Sequence, residues 1–140
     1  MDHFTIREVT VNYRGPKRKA GSITEPWLAA EFIRKVLPNN SQEHFIAVYL
    51  AGDHSPIAYS VVHTGTAICS PASSREVLQR GCLLGACGLI VAHNHPSGAS
   101  DPSPQDRDIT EKLRQAAELV GMKLLDHLVV TETEFTSIIH

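Results

Sequence analysis

The chain has 140 residues, a formal net charge of −2 and 42% hydrophobic residues, which fits one domain with a real core. No apolar run approaches the roughly 20 residues that a membrane-spanning helix needs, and the N-terminus lacks a secretory signal pattern. Composition thus argues against a membrane protein, and the mild acidity gives no global preference for nucleic acid. We expect a cytoplasmic protein with no membrane partner.

The cysteine content agrees with a reducing compartment. The three cysteines are an odd number without zinc-ribbon spacing, at Cys69, Cys82 and Cys87. A domain of this size does not need a disulfide framework. We predict reduced, buried thiols.

The first 22 residues form a separate region in our interpretation, an N-terminal strand and a basic loop. Residues Phe4 to Val11 carry spaced apolar side chains and predict a short strand. The segment Arg14–Lys19 then places four cations in six positions. It is either a solvated loop, which we favour, or a contact for nucleic acid. Residues 23–140 are predicted to form a single globular domain.

A helix and a strand hairpin come next. Thr24 is a candidate cap for a helix with an apolar residue at every fourth position, ending at Pro38. His44 to Ala51 is apolar on both strand faces, which is typical of a central strand. A turn cluster separates it from a second strand, Ile57 to His63, so the pair predicts an antiparallel hairpin.

The remaining elements alternate. The pattern predicts a third short strand through Ile68, a helix from Val77 to Leu84 after a cap at Ser73, a strand from Leu89 to Ala92, a helix starting at Ser103, a strand from Met122 to Thr131, and a short closing element from Phe135 to Ile139. This order favours an α/β fold: a mixed β-sheet sandwiched by three main helices.

Two histidines follow the strand at Leu89–Ala92. His93 and His95 are separated by one residue, and side chains at positions i and i+2 of a strand share a face. Pro96 and Gly98 end the strand and turn the chain. Both imidazoles are therefore expected to point at one spot.

An aspartate can join them from the next helix. In Ser103-Pro104-Gln105-Asp106, the serine fits the N-cap position, the proline the first helical residue, and the aspartate N3. Two neutral imidazoles and one carboxylate suit Zn²⁺ and leave a fourth tetrahedral position for water. The sequence thus predicts a catalytic metal site at His93, His95 and Asp106, although an acid at N3 also stabilises a helix without any metal.

The spacing of these residues resembles the motif of the JAB/MPN (JAMM) metalloproteases. The run from His93 to Gly98, with Pro102-Ser103 and Asp106, is most similar to the bacterial RadC-like branch. The resemblance extends from about Glu43 to about Ser137. It implies a fold of the JAB/MPN, cytidine-deaminase-like type for residues 23–140, and a zinc-dependent hydrolase of peptide or isopeptide bonds.

The resemblance also implies roles for two further residues. Glu43, which precedes a strand, matches the family's general acid/base, and Ser103 matches a residue that donates to the oxyanion of a tetrahedral intermediate. Ordinary alternatives exist: Glu43 as an exposed acid before a strand, and Ser103 as a helix cap only. The substrate would be a peptide or protein.

Polar residues near the motif have less specific interpretations. Asn94 should face away from the two histidines, as a turn-stabilising amide. Asp126 and His127 interrupt an apolar strand. We favour a satisfied polar pair at a strand end over a partner that holds a ligand histidine.

A second function class stays open. RadC-like proteins carry a DNA-repair label, so the chain can alternatively be a DNA-repair or mobile-element accessory protein whose metal site is not used for proteolysis. We expect no helix-hairpin-helix segment before Glu43, which weakens that alternative. A metal-free scaffold is the third possibility. An exposed edge strand would permit a homodimer.

Overall fold

Helices and strands alternate along the part of the chain that the structure describes. The structure is a computed structural model, and it describes residues 3–17, 20–65 and 71–139. The elements are, in order, α1 (Pro26–Val36), β1 (His44–Leu50), β2 (Pro56–Thr64), α2 (Pro71–Leu84), β3 (Gly88–Asn94), α3 (Pro104–Leu119), β4 (Lys123–Val130) and β5 (Phe135–Ser137). Within these ranges, no helix has the length and apolar content needed to cross a bilayer.

The five strands form one mixed sheet in the order β2-β1-β3-β4-β5. β1 runs antiparallel to β2 and to β3, β3 and β4 are parallel, and β5 is antiparallel to β4. Every residue of β1 and of β3 is buried. Strands covered on both faces read as continuous apolar runs, which is why β1 shows no alternation in the sequence. The predicted hairpin and the central position of β1 are confirmed.

Helices cover both faces of the sheet. α1 packs on one face, against alternate β1 residues such as Ile46 and Val48. α2 and α3 pack on the other face, together with Phe45 and Tyr49, which alternate along β1 with the residues that contact α1. The predicted α/β fold, a mixed sheet sandwiched by three helices, is confirmed.

The connection from β3 to β4 positions the candidate site. Parallel neighbours need a crossover, and here the crossover contains α3. The start of α3 is separated from the end of β3 by residues 95–103 alone. The end of β3, the start of β1 that pairs with it, and the first turn of α3 therefore meet at one end of the sheet.

The N-terminal region differs from its prediction. Residues 3–17 form neither helix nor strand, and the side chains of Phe4 and Ile6 are 93% and 92% exposed. The strand predicted from Phe4 to Val11 does not form in the structure, because a strand is stabilised by hydrogen bonds to a neighbour and this segment pairs with neither edge of the sheet. Arg18, Lys19 and the predicted strand through Ile68 lie outside the described residues.

Smaller differences concern helix starts and thiols. α1 has Glu25 rather than Thr24 as its N-cap, because Pro26 occupies the first helical position with a backbone angle suited to it. α2 begins at Pro71, so it already includes Ser73. Cys82 and Cys87 are free, but they are exposed rather than buried, and Cys69 lies outside the described residues.

Candidate metal centre

His93 and His95 converge at the end of β3. His93 is in the strand and completely buried, whereas His95 is the first residue beyond it and is partly exposed. Their Nε2 atoms lie 3.0 Å apart, and the backbone N–H of His95 donates to the Val130 carbonyl of β4. The strand periodicity that predicted a shared face is confirmed.

Glu43 joins the two histidines from the residue before β1. Its Oε1 lies 3.8 Å from Nε2 of His95. One ligand atom from each of Glu43, His93 and His95 can be chosen so that all lie within 4.8 Å of one another. The side chains of Glu43 and His95 keep 25% and 20% of their surface exposed, so the cluster opens to solvent on this side.

Asp106 reaches His93 from the first turn of α3. Its Oδ2 lies 3.4 Å from Nε2 of His93 and accepts the backbone N–H of Ser103 at 2.8 Å. Ser103 Oγ in turn accepts the backbone N–H of Asp106 at 3.1 Å, which completes a reciprocal capping box. The predicted N-cap and N3 positions are confirmed. Because the cap holds Oδ2 at the helix start, the aspartate approaches His93 but is not part of the tight group around Glu43.

Burial alone raises the pKa of Asp106, but the interaction with the neighbouring His93 ring and the hydrogen bond from the Ser103 backbone N–H outweigh it, and the net pKa lies well below the usual range. The carboxylate is therefore ionised at neutral pH. An anionic oxygen beside the Nε2 of His93, which itself lies 3.0 Å from the Nε2 of His95, is a suitable environment for a cation.

The donor set fits Zn²⁺. Imidazole nitrogen and carboxylate oxygen are the ligands of catalytic zinc sites. Nδ1 of His95 lies 2.8 Å from the Ala99 carbonyl, which can only accept, so this nitrogen carries the proton and Nε2 is free to ligate. We expect His93, His95 and Asp106 to hold the ion, with Glu43 beside it. This division of roles among the four residues stays a prediction.

Asn94 faces away from the two histidines, as expected for the residue between them. It is fully buried, however, and does not stabilise a turn of its own. Its amide contacts the segment before β1: Oδ1 accepts from the backbone N–H of His44, and Nδ2 donates to the carbonyl of Gln42 and to the side chain of Asn40.

The side chain of His127 contacts His93, an arrangement that the sequence pattern did not lead us to favour. Its Nε2 lies 2.9 Å from Nδ1 of His93, and its Nδ1 lies 2.6 Å from Oγ1 of Thr110. Asp126 instead accepts from Ser137 and from the His127 backbone. The preference for a simple polar pair at a strand end is therefore wrong for His127. The sequence signal for this contact was the pair Asp126 and His127, two polar residues inside an otherwise apolar strand.

Comparisons with known proteins show the family of the chain. The model of the RadC-like JAB domain family matches residues 23–140. A UPF0758 protein of Legionella pneumophila (strain Lens) is 43% identical over 107 residues, which cover 76% of this chain and 47% of the relative. A UPF0758 protein of Vibrio cholerae (strain M66-2) is 35% identical over 133 residues, covering 94% of this chain and 59% of the relative.

A third relative, a UPF0758 protein of Acaryochloris marina, is 40% identical over 116 residues, with 83% of this chain and 48% of the relative covered. This chain thus spans about half the length of the curated relatives that it matches. The family model covers the whole of the sheet, the helices and the metal-ligand candidates. The chain belongs to the family of RadC-like JAB domains.

Proposed function

We propose that this chain is a zinc-dependent hydrolase of peptide or isopeptide bonds. The observation that supports it most is the meeting of four side chains from three parts of the fold at one end of the sheet: His93 and His95 at the end of β3, Glu43 before β1, and Asp106 in the first turn of α3. When bound, zinc would polarise a carbonyl group and lower the pKa of water to about 7. The following steps concern what the chain's own residues contribute.

Glu43 is the proposed general acid/base. Its carboxylate lies on the solvent-exposed side of the cluster, where both a water molecule and a substrate can approach. A carboxylate at this place can take a proton from the attacking water and pass it to the leaving amine. This role needs a side chain that is held near the metal ligands but is not consumed as one of them.

Ser103 is the proposed donor to the oxyanion. In the capping box its Oγ accepts the Asp106 N–H, which uses one lone pair and leaves the hydroxyl proton available. Capping the helix and donating to a developing negative charge are therefore compatible in one side chain. A donor of this kind typically contributes about 10² to 10³ in turnover.

Burial of the cluster indicates the direction of substrate approach. The His93 side chain has no exposed surface and that of Asp106 has 10%, whereas Glu43 and His95 are two to three times as exposed as Asp106. A peptide would approach over Glu43 and His95. Its scissile carbonyl would then lie near the general acid/base and the open side of the metal position.

Metal analysis followed by a cleavage assay tests the proposal. The full chain, purified without chelators, should contain about one zinc per molecule, and His95→Ala should not. The loaded protein is then incubated with a peptide library. Cleavage that chelation abolishes would support the hydrolase. Absence of zinc from the wild type contradicts the proposal, and zinc without cleavage of peptide or isopeptide substrates favours the accessory function instead.

A further inference from the structure

We propose that His127 and Thr110 are positioning residues: they fix the tautomer of His93 so that its Nε2 lone pair faces the metal position. The inference rests on the proposed metal site and adds two residues to it. Its basis is a chain of hydrogen bonds through three buried side chains, whose donors and acceptors follow from the atoms involved.

The chain starts at a backbone carbonyl, which can only accept. The hydroxyl of Thr110 lies 2.6 Å from the carbonyl oxygen of Asp106, so it donates its single proton there. Nδ1 of His127 lies 2.6 Å from the same hydroxyl oxygen. Since that oxygen has no second proton to give, it can only accept, and Nδ1 of His127 must carry a proton.

The tautomer of His127 then determines that of His93. His127 is completely buried, which disfavours the charged ring, and a neutral imidazole has one N–H. With the proton on Nδ1, Nε2 of His127 is an acceptor, and it lies 2.9 Å from Nδ1 of His93. His93 therefore donates from Nδ1, and in its neutral form its Nε2 is unprotonated.

Both histidines of the motif thus present lone pairs to each other. Nε2 of His95 is also unprotonated, because its Nδ1 donates to Ala99. The two Nε2 atoms lie 3.0 Å apart. The anionic Oδ2 of Asp106 lies 3.4 Å from Nε2 of His93. Three electron-rich atoms at these distances repel one another unless a cation lies among them. The hydrogen bonds therefore prepare the site for a metal ion.

α3 contributes to both ends of this chain of bonds. Asp106 and Thr110 are four residues apart, so they lie on the same face of the helix. The helix thus presents a carboxylate towards the metal position and, one turn later, a hydroxyl towards His127. Orientation of a ligand histidine through its second nitrogen is a general property of metal sites, and loss of such a partner typically costs about 10- to 100-fold in metal affinity.

Thr110→Val in the full chain tests the inference. Without the hydroxyl, the Nδ1–H of His127 would be buried without an acceptor, so the ring should move its proton to Nε2. His93 would then accept at Nδ1 and carry its proton on Nε2, facing the metal position. We expect zinc affinity, measured on chelator-stripped protein by competition with a chromophoric chelator, to fall by about 10- to 100-fold.

Two further variants serve as controls. Thr110→Ser keeps the hydroxyl and should restore wild-type zinc affinity. Thr131→Val makes the same change at another buried threonine, whose hydroxyl donates to Glu134 in a turn. It should leave zinc affinity unchanged. Affinity for zinc that is equal in Thr110→Val and the wild type would overturn the inference, even though the proposed metal site would stand.

Imidazole ¹⁵N chemical shifts give a second readout that needs neither metal nor a variant. In metal-free wild type at neutral pH, we expect protons on Nδ1 of both His93 and His127. A proton on Nε2 of His93 would overturn the inference whether or not the protein binds zinc. Failure of the wild type to bind zinc would instead contradict the proposed function.

Discussion

Asn94 fixes the position of Glu43 through the backbone on either side of it. The amide oxygen of Asn94 accepts the N–H of His44 at 2.7 Å, and its nitrogen donates to the carbonyl of Gln42 at 2.9 Å. Asn94 is itself the residue between the two ligand histidines. One buried amide therefore sets the distance between the candidate general acid/base and the candidate metal ligands.

Replacing Asn94 should separate catalysis from metal binding. In Asn94→Ala, the backbone around Glu43 loses its fixed position, and a displacement of about 1 Å at a catalytic group can cost about 100-fold in turnover. Zinc content should stay at the wild-type value because the histidines remain. Asn12→Ala, at an exposed asparagine, is the control. Loss of zinc together with turnover in Asn94→Ala would contradict this assignment.

Local patterns predicted the parts of the site that depend on nearby residues. The alternation of strand side chains brings His93 and His95 together, and the reciprocal cap of Ser103 and Asp106 spans four residues. His127 depends instead on the register of the parallel pair β3 and β4, which contains an irregularity between Leu89 and Ile90. No local pattern encodes that register, so a contact between His127 and a ligand histidine was only the less favoured interpretation of the sequence.

The fold, like the candidate site, was predictable only where it depends on local patterns in the sequence. Apolar runs predicted the buried strands, because a strand that is covered on both faces consists mostly of apolar residues. The spaced apolar residues from Phe4 to Val11 gave a strand-like signal, yet a strand also needs a partner with free hydrogen-bonding groups, and the segment has none among the described strands. Periodicity identifies what a segment can form rather than what it pairs with.

Ser103 should show two separable contributions. Ser103→Ala should lower the free energy of unfolding by about 1 kcal/mol through loss of the cap. Ser103→Gly loses the same hydroxyl, but glycine is tolerated at an N-cap and should cost only a few tenths of that. Both variants should lose about 100-fold or more in turnover. Turnover in Ser103→Gly equal to that of the wild type would restrict Ser103 to helix capping.

The stability of the metal-free protein should depend on pH through His127. Burial, followed by the electrostatic effect of His93, lowers the pKa of His127 from the usual 6.5 to about 3. Between these values the unfolded chain binds the extra proton and the folded chain does not, so the free energy of unfolding rises with pH. The contribution is complete above pH 6.5 and is lost as pH falls towards 3.

Chemical denaturation at about pH 5 and pH 6.5 measures this effect in a range where carboxyl groups change little. In wild type, the His127 contribution should increase the free energy of unfolding by up to about 1.4 kcal/mol per pH unit. His127→Gln has no titrating ring, so its slope should be smaller by about one proton. Equal slopes in the two proteins would contradict the neutral, buried state of His127.

Neutralising the basic segment tests the nucleic-acid alternative. The variant replaces four residues by glutamine: Arg14, Lys17, Arg18 and Lys19. We expect peptide cleavage to be unchanged, because Arg14 and Lys17 are exposed and form no contact with the metal cluster among the described residues. Duplex DNA binding, followed by fluorescence anisotropy at 50 and 200 mM salt, should be equally weak in both proteins. Salt-dependent binding that only the wild type shows would favour the accessory function.

The roles assigned to Glu43 and Asp106 are tested most directly by comparing zinc content and peptide turnover in Glu43→Gln and Asp106→Asn. Both changes remove one negative charge and preserve side-chain shape. We expect Glu43→Gln to keep about one zinc per chain and to lose at least about 100-fold in turnover, whereas Asp106→Asn should lose the zinc itself. Full turnover in Glu43→Gln, or loss of zinc from Glu43→Gln with retention in Asp106→Asn, would contradict these roles.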